Sequence, residues 1–350
     1  MDMNNADRGA ALMADVLEDR YGLAADVVEP VHMGTDTINR RVLTTDGLRL
    51  FVKEYRSTAD LDAARAAWDM AEYCRAAQLP VPRVWPDADG ELVTIAEGSA
   101  WAIVDEVPGH VTTTPMSVAL AEHIGVVMGR MHRVLAAYPM PKLVQQSRWR
   151  LGAVADAASK CNSVLATAVR QGHDRLDQLR LDMDQRREDL HQHVHQLRER
   201  LPDTLVEQAL HADLTRTNLI VLGNAVTGVI DFRGARAMPA WELGRAAFDP
   251  RTVANSTGWD SVALAMVRAY LSEHPGLPPA EVQACARIAL LYMLFSFYGA
   301  TTAEYGLPQE AESDLQRHWR ERQATIRLLL HHLRDLDASL SDLTADGGRS

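Results

Sequence analysis

The sequence predicts an α+β protein in which a strand-rich part is followed by a larger helical part. Short apolar runs separated by turns occupy the chain up to residue 107, whereas from Pro115 onward nearly every segment except 209–233 has helical spacing. Strands gathered in one part and helices in another are typical of α+β proteins. A chain of 350 residues with 47% hydrophobic residues can bury a substantial core. We therefore expect two lobes, residues 1–107 and residues 108–350.

The predicted small lobe contains an N-terminal helix, an antiparallel sheet and one main helix. Residues 9–21 have helical apolar spacing, and Gly22 marks the end of this helix. An Ala-rich helix over 58–77 ends before the proline-containing turn at 79–82. The other apolar runs of this lobe have the length and spacing of short strands joined by turns. We expect strands at residues 27–28, 41–43, 48–55, 92–96 and 101–107.

The connection from Asp105 to Gly109 lies where the strand-rich part gives way to the helical part. A Pro-Gly pair marks turns of every kind, so an ordinary turn is the alternative interpretation. The position of this connection favours a hinge between the lobes. In the second lobe, nearly all segments are expected to be helical, including an insertion at about residues 147–200.

Composition narrows the classes of protein to which the chain can belong. A formal net charge of −11 argues against general nucleic-acid binding, which requires a basic surface. The three cysteines are few and far apart, so they form no metal or disulfide pattern and favour reduced thiols in the cytoplasm. The N-terminus has no apolar signal core, and the apolar run from Ile288 to Ala300 is too short to cross a bilayer. We expect a cytoplasmic protein with a buried helix at this run and no membrane partner.

The strongest chemical signal is the stretch His211–Asn218, which a short turn separates from the apolar run around Asp231. The spacing from Asp213 to Asn218 is that of a kinase catalytic loop. In such a loop the aspartate accepts the proton of an attacking hydroxyl, while Asn218 and Asp231 would hold the magnesium ion that gathers the nucleotide phosphates. An isolated aspartate would more often cap a helix or close a turn. Together, at this spacing, the three residues indicate phosphoryl transfer.

These motifs resemble those of the family of aminoglycoside phosphotransferases and choline kinases, which includes homoserine kinase-type members. The resemblance runs from about Val27 to at least Asp249 and rests on the catalytic loop, on residues 228–232, on Lys53 and on the turn at 79–84. It implies a bilobal fold like that of protein kinases, ATP and Mg²⁺ as cofactors, and a small-molecule hydroxyl as acceptor. GTP is not excluded as the nucleotide. The stretch 240–246 also resembles a family helix, with Glu242 where an aspartate is more usual.

Lys53 lies in an apolar strand-like run, where a lysine facing inward requires a phosphate or carboxylate partner. We expect it to contact the α- and β-phosphates of the nucleotide, the alternative being a solvent-facing strand residue. In kinases this lysine pairs with a helix acid. Counting back from Pro82, the resemblance places that acid near Ala67, which is not an acid itself. Among the acids close to this position, Glu72 is the favoured partner. The other nearby acids are Asp62 and Asp69.

The expected nucleotide site combines a phosphate-covering turn with the hinge. The turn at 33–39 has one glycine, and Gly34, Thr35 and Thr37 would approach the phosphates, whereas Asp36 would face away. A plain hairpin turn is the alternative. The resemblance assigns adenine binding to backbone groups at Asp105 and Val107. It places the base between apolar side chains, namely Val52, Ile103 and Ile230.

The acceptor site is the least determined part of the prediction. We expect His211 to act in the catalytic loop, as a ring that fixes the loop through hydrogen bonds rather than as a proton carrier. Arg233 and Glu242 are the candidate substrate contacts. Acidic pockets suit cationic acceptors and basic residues suit carboxylates, and the sequence offers both. Further candidates in the helical lobe are Arg236, Asp249, Glu304, Glu310 and Glu312.

Three functions remain open at this point. The first is an ATP- and Mg²⁺-dependent kinase of a small molecule such as an amino sugar, an amino alcohol or an antibiotic. The second is a kinase that phosphorylates Ser or Thr of a peptide, with the insertion shaping an extended groove. The third is a catalytically silent nucleotide-binding scaffold. The intact set of Lys53, Asp213, Asn218 and Asp231 argues against the third.

Overall fold

The computed structural model describes residues 3–31, 37–55, 61–112, 114–302 and 309–347. It confirms the α+β class, with a mainly antiparallel strand-rich lobe followed by a helical lobe. The first lobe contains a six-stranded sheet in the order β1-β2-β3-β6-β4, with β5 paired to β6. Its strands are β1 Ala25–Val31, β2 Thr37–Thr44, β3 Arg49–Tyr55, β4 Val84–Trp85, β5 Thr94–Ala96 and β6 Ser99–Asp105.

The two helices of the first lobe pack into different cores. Helix α1, Met3–Tyr21, packs Met13 and Leu17 against one face of the sheet, where Leu50, Val52, Trp101 and Ile103 form a small core. Helix α2, Leu61–Ala76, instead contributes its buried residues to the main core of the protein. Because side chains alternate along β3, Lys53 lies on the sheet face opposite the α1 core. The face that carries Lys53 is turned towards Trp68 of α2 and Asp231 of the second lobe.

The helical lobe consists of ten α-helices among the described residues. Helix α3 crosses α9 so closely that Gly125 and Gly129 have no room for a Cβ atom beside the backbone of Met266 and Tyr270. The buried residues of both helices belong to the large core. The helices are α3 Val118–Leu135, α4 Arg148–Leu151, α5 Val154–Gln171, α6 Leu176–Glu199, α7 Pro239–Ala247, α8 Pro250–Val253, α9 Trp259–Glu273, α10 Pro279–Gln283, α11 Cys285–Phe295 and α12 Gln309–Gly347.

Short strands frame the motif region between α6 and α7. Strands β7 His110–Val111, β9 Leu219–Leu222 and β10 Ala225–Val229 form one small sheet, and β8 Gln208–Leu210 pairs with β11 Ala235–Ala237. The catalytic loop thus connects β8 to β9, and the loop with Asp231 connects β10 to β11. Leu210 at the end of β8 pairs with Ala235 at the start of β11, and Leu219 at the start of β9 pairs with Val229 at the end of β10. The two loops therefore run side by side between these two strand pairs.

The segment between Asp105 and His110 links the sheet of the first lobe to a sheet of the second. Strand β6 ends at Asp105, and β7 begins at His110, where it pairs with β9. The Val107 side chain packs on Gly228, where an added Cβ atom would come within 2.9 Å of it. The lobe boundary that we predict at residues 107 and 108 falls within this link.

Helices α5 and α6 pack against each other within the expected insertion, and α6 also contacts α11. The predicted buried helix at the apolar run is confirmed, because α11 is almost wholly enclosed by the core. No helix in the described ranges combines the length and the apolar character that a membrane span requires. All three cysteines are buried and unpaired.

Candidate active site

Two non-glycine residues in the motif region have left-handed backbone conformations. Ala212 has a φ angle of 66° and Asp231 a φ angle of 60°. Such conformations are unfavourable for residues with a Cβ atom and persist where the surrounding structure fixes them, often at functional sites. The strained residue of the first loop thus directly precedes Asp213, and the strained residue of the second loop is Asp231 itself.

His211 ties these two loops together. Its buried ring accepts the Asp213 N–H at Nδ1 over 3.2 Å, and its Nε2 donates to the Ile230 carbonyl over 2.9 Å. Phe232 packs on the ring with 4.4 Å between centroids. Burial lowers the pKa of His211, which keeps the ring neutral. Because both nitrogens are engaged, the geometry supports the positioning role that we expected rather than proton transfer.

The Asp213 carboxylate is held at the mouth of the loop and is about half exposed. Its Oδ1 accepts from Arg245 over 3.2 Å, and its Oδ2 lies 3.3 Å from the Asn218 amide nitrogen. The Arg245 guanidinium lies over the rings of Trp241 and Tyr292, with centroids 4.8 and 4.9 Å away. These contacts fix the carboxylate while leaving it accessible to an acceptor.

The sequence interpretation missed Arg245. It lies on α7 within the stretch 240–246 that carries part of the family resemblance, but its spacing there gave no indication that it would reach Asp213. The contact is visible only in three dimensions, because it joins residues 32 positions apart in the chain.

Asn218 and Asp231 lie next to each other and offer oxygen atoms to a cation. The Asn218 side-chain amide donates to the Asp213 backbone carbonyl over 2.8 Å, and the Asn218 backbone carbonyl accepts the Ile230 N–H over 3.0 Å. Among the described residues, no hydrogen bond occupies the Asn218 side-chain oxygen, which leaves it available to a cation. The Asp231 carboxylate is about half exposed and contacts Lys53 through Oδ1. Mg²⁺ prefers oxygen ligands and is usually held by one or two carboxylates together with substrate phosphates, so these residues fit it.

Lys53 reaches across from β3 to the second lobe. Its side chain is 12% exposed, and its ammonium contacts Asp231 and lies 5.6 Å from the centroid of the Trp68 ring. Burial lowers the pKa of Lys53 to about 8, whereas the adjacent carboxylate favours the charged form. The lysine from the first lobe and the three polar residues from the second therefore converge on one place.

The expected ion pair between Lys53 and Glu72 is wrong. Glu72 accepts the Val84 N–H over 3.0 Å and binds the Arg75 guanidinium. Ala67 is the residue of α2 that passes beside Gly234. Glu72 lies more than one helical turn beyond Ala67, and its carboxylate faces β4 instead of the cleft.

The turn that is expected to cover the nucleotide phosphates lies mostly outside the described residues. Gly34 and Thr35 lie outside the described residues, as does Asp36. Thr37 begins β2, and its hydroxyl donates to the Asn39 side chain over 2.8 Å. Whether Thr37 approaches a phosphate stays a prediction.

In the link between β6 and β7, Asp105 is fixed and Val107 is less constrained. The Asp105 carboxylate accepts from the Trp85 indole over 2.7 Å, and its N–H donates to the Arg83 carbonyl over 3.0 Å. Within the described ranges, the Val107 backbone makes no hydrogen bond, which leaves it free to contact a base. Ile230, the first residue after β10, is half-buried.

The expected adenine contacts of Val52 and Ile103 are wrong. Both side chains are fully buried in the core beneath α1, on the sheet face away from Lys53. Phe51, two residues before Lys53, lies on the same face as the lysine and is partly exposed. Strand alternation makes Phe51 the candidate for the base-facing position.

The expected contact of Glu242 with substrate is also wrong. Glu242 is fully buried, where it accepts from His132 Nε2 over 3.0 Å and from the Leu214 N–H over 3.2 Å. The Tyr270 hydroxyl binds the other nitrogen of His132 over 3.0 Å. Burial opposes ionisation of Glu242, but its interactions with His132, with His211 and with the Leu214 N–H outweigh burial and lower the Glu242 pKa. Because the buried face of α7 carries Glu242 inward, this residue anchors the catalytic loop from behind.

The remaining acceptor candidates divide into exposed and structural residues. Arg233 is exposed at the cleft, and its N–H donates to the His211 carbonyl over 3.0 Å. Asp249 is buried, caps α8 and pairs with Arg216, so its expected role at the acceptor is wrong. Arg236 pairs with Glu207. Glu312 accepts from Thr302, whereas Glu304 and the side chain of Glu310 lie outside the described residues.

Replacing Glu242 with leucine is expected to destabilise the protein by about 1–3 kcal/mol, because the Leu214 N–H and His132 would be left buried without their acceptor. Glu242→Gln keeps one acceptor oxygen and should cost less. Urea unfolding measures both. Glu122→Gln, at an exposed position of α3, is the matched control. Equal unfolding free energies for Glu242→Leu and the wild type would refute the anchoring role.

The unfolding free energy is expected to decrease as the pH falls below 6.5. His274, at the end of α9, has a pKa lowered from 6.5 to about 4, chiefly by burial. The unfolded chain therefore takes up a proton that the folded chain does not, so stability present above pH 6.5 is lost as the pH falls towards 4. Urea unfolding at pH 7.5 and pH 5.5 measures the change. His274→Gln should reduce the pH dependence, and an unchanged dependence would contradict the assignment.

Comparisons with known proteins show the family to which the chain belongs. The model of the phosphotransferase enzyme family matches residues 27–281, which is more than half of the chain. A curated relative, the homoserine kinase of Zymomonas mobilis subsp. mobilis, is 23% identical over 205 residues. That alignment covers 58% of this chain and 58% of the relative, so the chain spans little more than half of that relative's length.

Solved structures show the same fold at low sequence identity. Spectinomycin phosphotransferase in complex with ADP and spectinomycin has a TM-score of 0.61 and 11% identity, with 94% of this chain and 97% of that chain covered. A microcompartment-associated aminopropanol kinase has a TM-score of 0.57 and 15% identity, with 97% and 100% covered. Both confirm the bilobal kinase-like architecture. Because the family model matches more than half of its length, the chain belongs to the phosphotransferase enzyme family.

Proposed function

We propose that this protein transfers the γ-phosphoryl group of ATP, in the presence of Mg²⁺, to a hydroxyl group of a small molecule. The acceptor class that we propose is an amino sugar, an amino alcohol or an antibiotic-like compound. The observation that carries the proposal is the meeting of Lys53, from the first lobe, with Asp231, beside Asn218 and Asp213. Phosphoryl transfer requires mainly positioning and charge neutralisation, and this set of residues offers both.

Each residue of the set has a defined task in the proposed reaction. Asp213 orients the acceptor hydroxyl and takes its proton as the oxygen forms a bond to the γ-phosphorus. The bond from that phosphorus to the β–γ bridging oxygen breaks, and ADP leaves. Lys53 neutralises phosphate charge, and Arg245 holds Asp213 in place. Asn218 and Asp231 would hold Mg²⁺, which when bound neutralises charge on the phosphates.

The proposed acceptor class rests on the site and on the relatives together. The relatives described above are named for homoserine, for aminopropanol and for spectinomycin, and none of them is named for a peptide. A small-molecule acceptor is therefore favoured over the peptide alternative. ATP is the proposed nucleotide because one of these structures holds ADP. Buried, unpaired cysteines support action in the reducing cytoplasm.

An acceptor screen tests the proposal. The purified protein is incubated with ATP and Mg²⁺ and with a panel of amino sugars, amino alcohols, hydroxy amino acids, antibiotics and Ser/Thr peptides. We expect ADP release that depends on one small-molecule class, together with a phosphorylated product identified by mass spectrometry. GTP in place of ATP settles the nucleotide preference. Phosphate incorporated only into peptides would overturn the proposed acceptor class.

A further inference from the structure

The environment of Lys53 contains an aromatic ring where kinases have a helix acid. In kinases the equivalent lysine pairs with a glutamate of the helix that follows. Here the α2 residue that passes beside the Asp231 loop is Ala67, whose Cα atom would lie 3.4 Å from a Cβ atom added at Gly234. The next residue, Trp68, places its ring 5.6 Å from the Lys53 ammonium.

The acids of α2 that are described do not reach the lysine. Glu72 is occupied by Val84 and Arg75, on the side of β4. Asp62 is fully exposed beside Arg65, and Asp69 is exposed as well. Among the described residues, the carboxylate in contact with Lys53 is Asp231 from the other lobe. The helix therefore contributes a ring face to this lysine instead of a charge.

The Trp68 ring is held in place by a partner on the same strand as the lysine. Its indole N–H donates to the Tyr55 hydroxyl over 2.8 Å. Tyr55 follows Lys53 by two positions on β3, so both side chains lie on the same face of the sheet. Lys53, Tyr55 and Trp68 thus form a fixed arrangement in which the ring is oriented before any ligand binds.

We propose that Trp68 is the positioning residue for Lys53, and that its ring holds the ammonium in the phosphate-binding position in place of a helix carboxylate. The inference rests on the proposed function. A ring attracts a cation without carrying a charge of its own, and the attraction is stronger where the cation is desolvated. The full positive charge of Lys53 therefore stays available to the nucleotide phosphates, and Asp231 can serve a metal ion without leaving the lysine unsupported.

Calorimetric titration of ADP with Mg²⁺ into matched variants tests this inference. Trp68→Leu removes the ring and is expected to weaken binding about tenfold. Trp68→Phe keeps a ring face and should bind within about threefold of the wild type. Tyr73→Leu is the control, because Tyr73 is an aromatic residue of the same helix that packs on Tyr138 and not on Lys53. Its affinity should equal that of the wild type.

The outcomes separate this inference from the proposed function. Wild-type affinity in Trp68→Leu, or equal weakening in the Phe and Leu variants, would overturn the positioning role while leaving the kinase proposal intact. A wild-type protein that binds no nucleotide would overturn both. Should Trp68→Leu fail to fold, Trp68→Met fills the same space with a flexible apolar chain. The same loss of affinity is expected from it, and normal binding would refute the inference.

Discussion

Replacing Asp213 with alanine is expected to lower turnover by about 10²–10⁴-fold, the usual contribution of a positioned general base. Nucleotide affinity should remain within about threefold of the wild type, because Lys53, Asn218 and Asp231 are unchanged. Asp213 contacts Asn218 and Arg245, so Asp213→Asn is measured beside it to preserve the shape of the side chain. The readouts are steady-state kinetics with the acceptor found in the screen and calorimetry with ADP.

The Asp213 variants require a control variant that removes a carboxylate outside the candidate active site. Asp177→Ala is suitable, since Asp177 lies at the start of α6 and its side chain is almost fully exposed. We expect this variant to retain both turnover and affinity. Turnover retained in Asp213→Ala would remove this residue from the mechanism, whereas equal loss of nucleotide binding would indicate a structural role.

Replacing Asp231 with asparagine is expected to weaken binding of the Mg²⁺–nucleotide complex by about 10–100-fold, because the change removes a charged oxygen ligand. Turnover should fall with it. The variant also removes the carboxylate that contacts Lys53, so binding is measured with Mg²⁺ and again with a chelator present. The account predicts that the difference between the two conditions shrinks in Asp231→Asn. A metal-dependent gain in affinity equal to that of the wild type would reject the metal assignment.

Local patterns in the sequence predicted the order of strands and helices because these depend on residues close together in the chain. The turn residues, the apolar spacing and the catalytic-loop motif are all of this kind. Strand β3 was expected at 48–55 and spans Arg49–Tyr55. Helix α1 is longer than the expected 9–21, as the boundaries of helices are set partly by packing.

The errors concern which way a side chain faces and what it meets. Val52 and Ile103 are apolar strand residues, and sequence alone did not show that α1 would cover their face of the sheet. Glu242 was expected to contact the substrate, but it is buried, and the buried His132 and the Leu214 N–H, both distant in sequence, donate hydrogen bonds to it. Contacts of this kind depend on tertiary packing and leave no periodic signal.

The pairing of Lys53 was missed for a related reason. Helix α2 contains three acids near the expected position, and the expectation of a carboxylate partner for Lys53 led to the choice of one of them. The structure instead places Ala67 and Trp68 there, and an aromatic partner for a lysine has no signature in sequence spacing.

A crystal structure with Mg²⁺ and a non-hydrolysable ATP analogue tests the central claim most directly. We expect one metal ion bound by the Asn218 side-chain oxygen and the Asp231 carboxylate, Lys53 on the α- or β-phosphate, and the γ-phosphate facing Asp213. A nucleotide bound away from these four side chains, or a metal ion that contacts neither Asn218 nor Asp231, would contradict it.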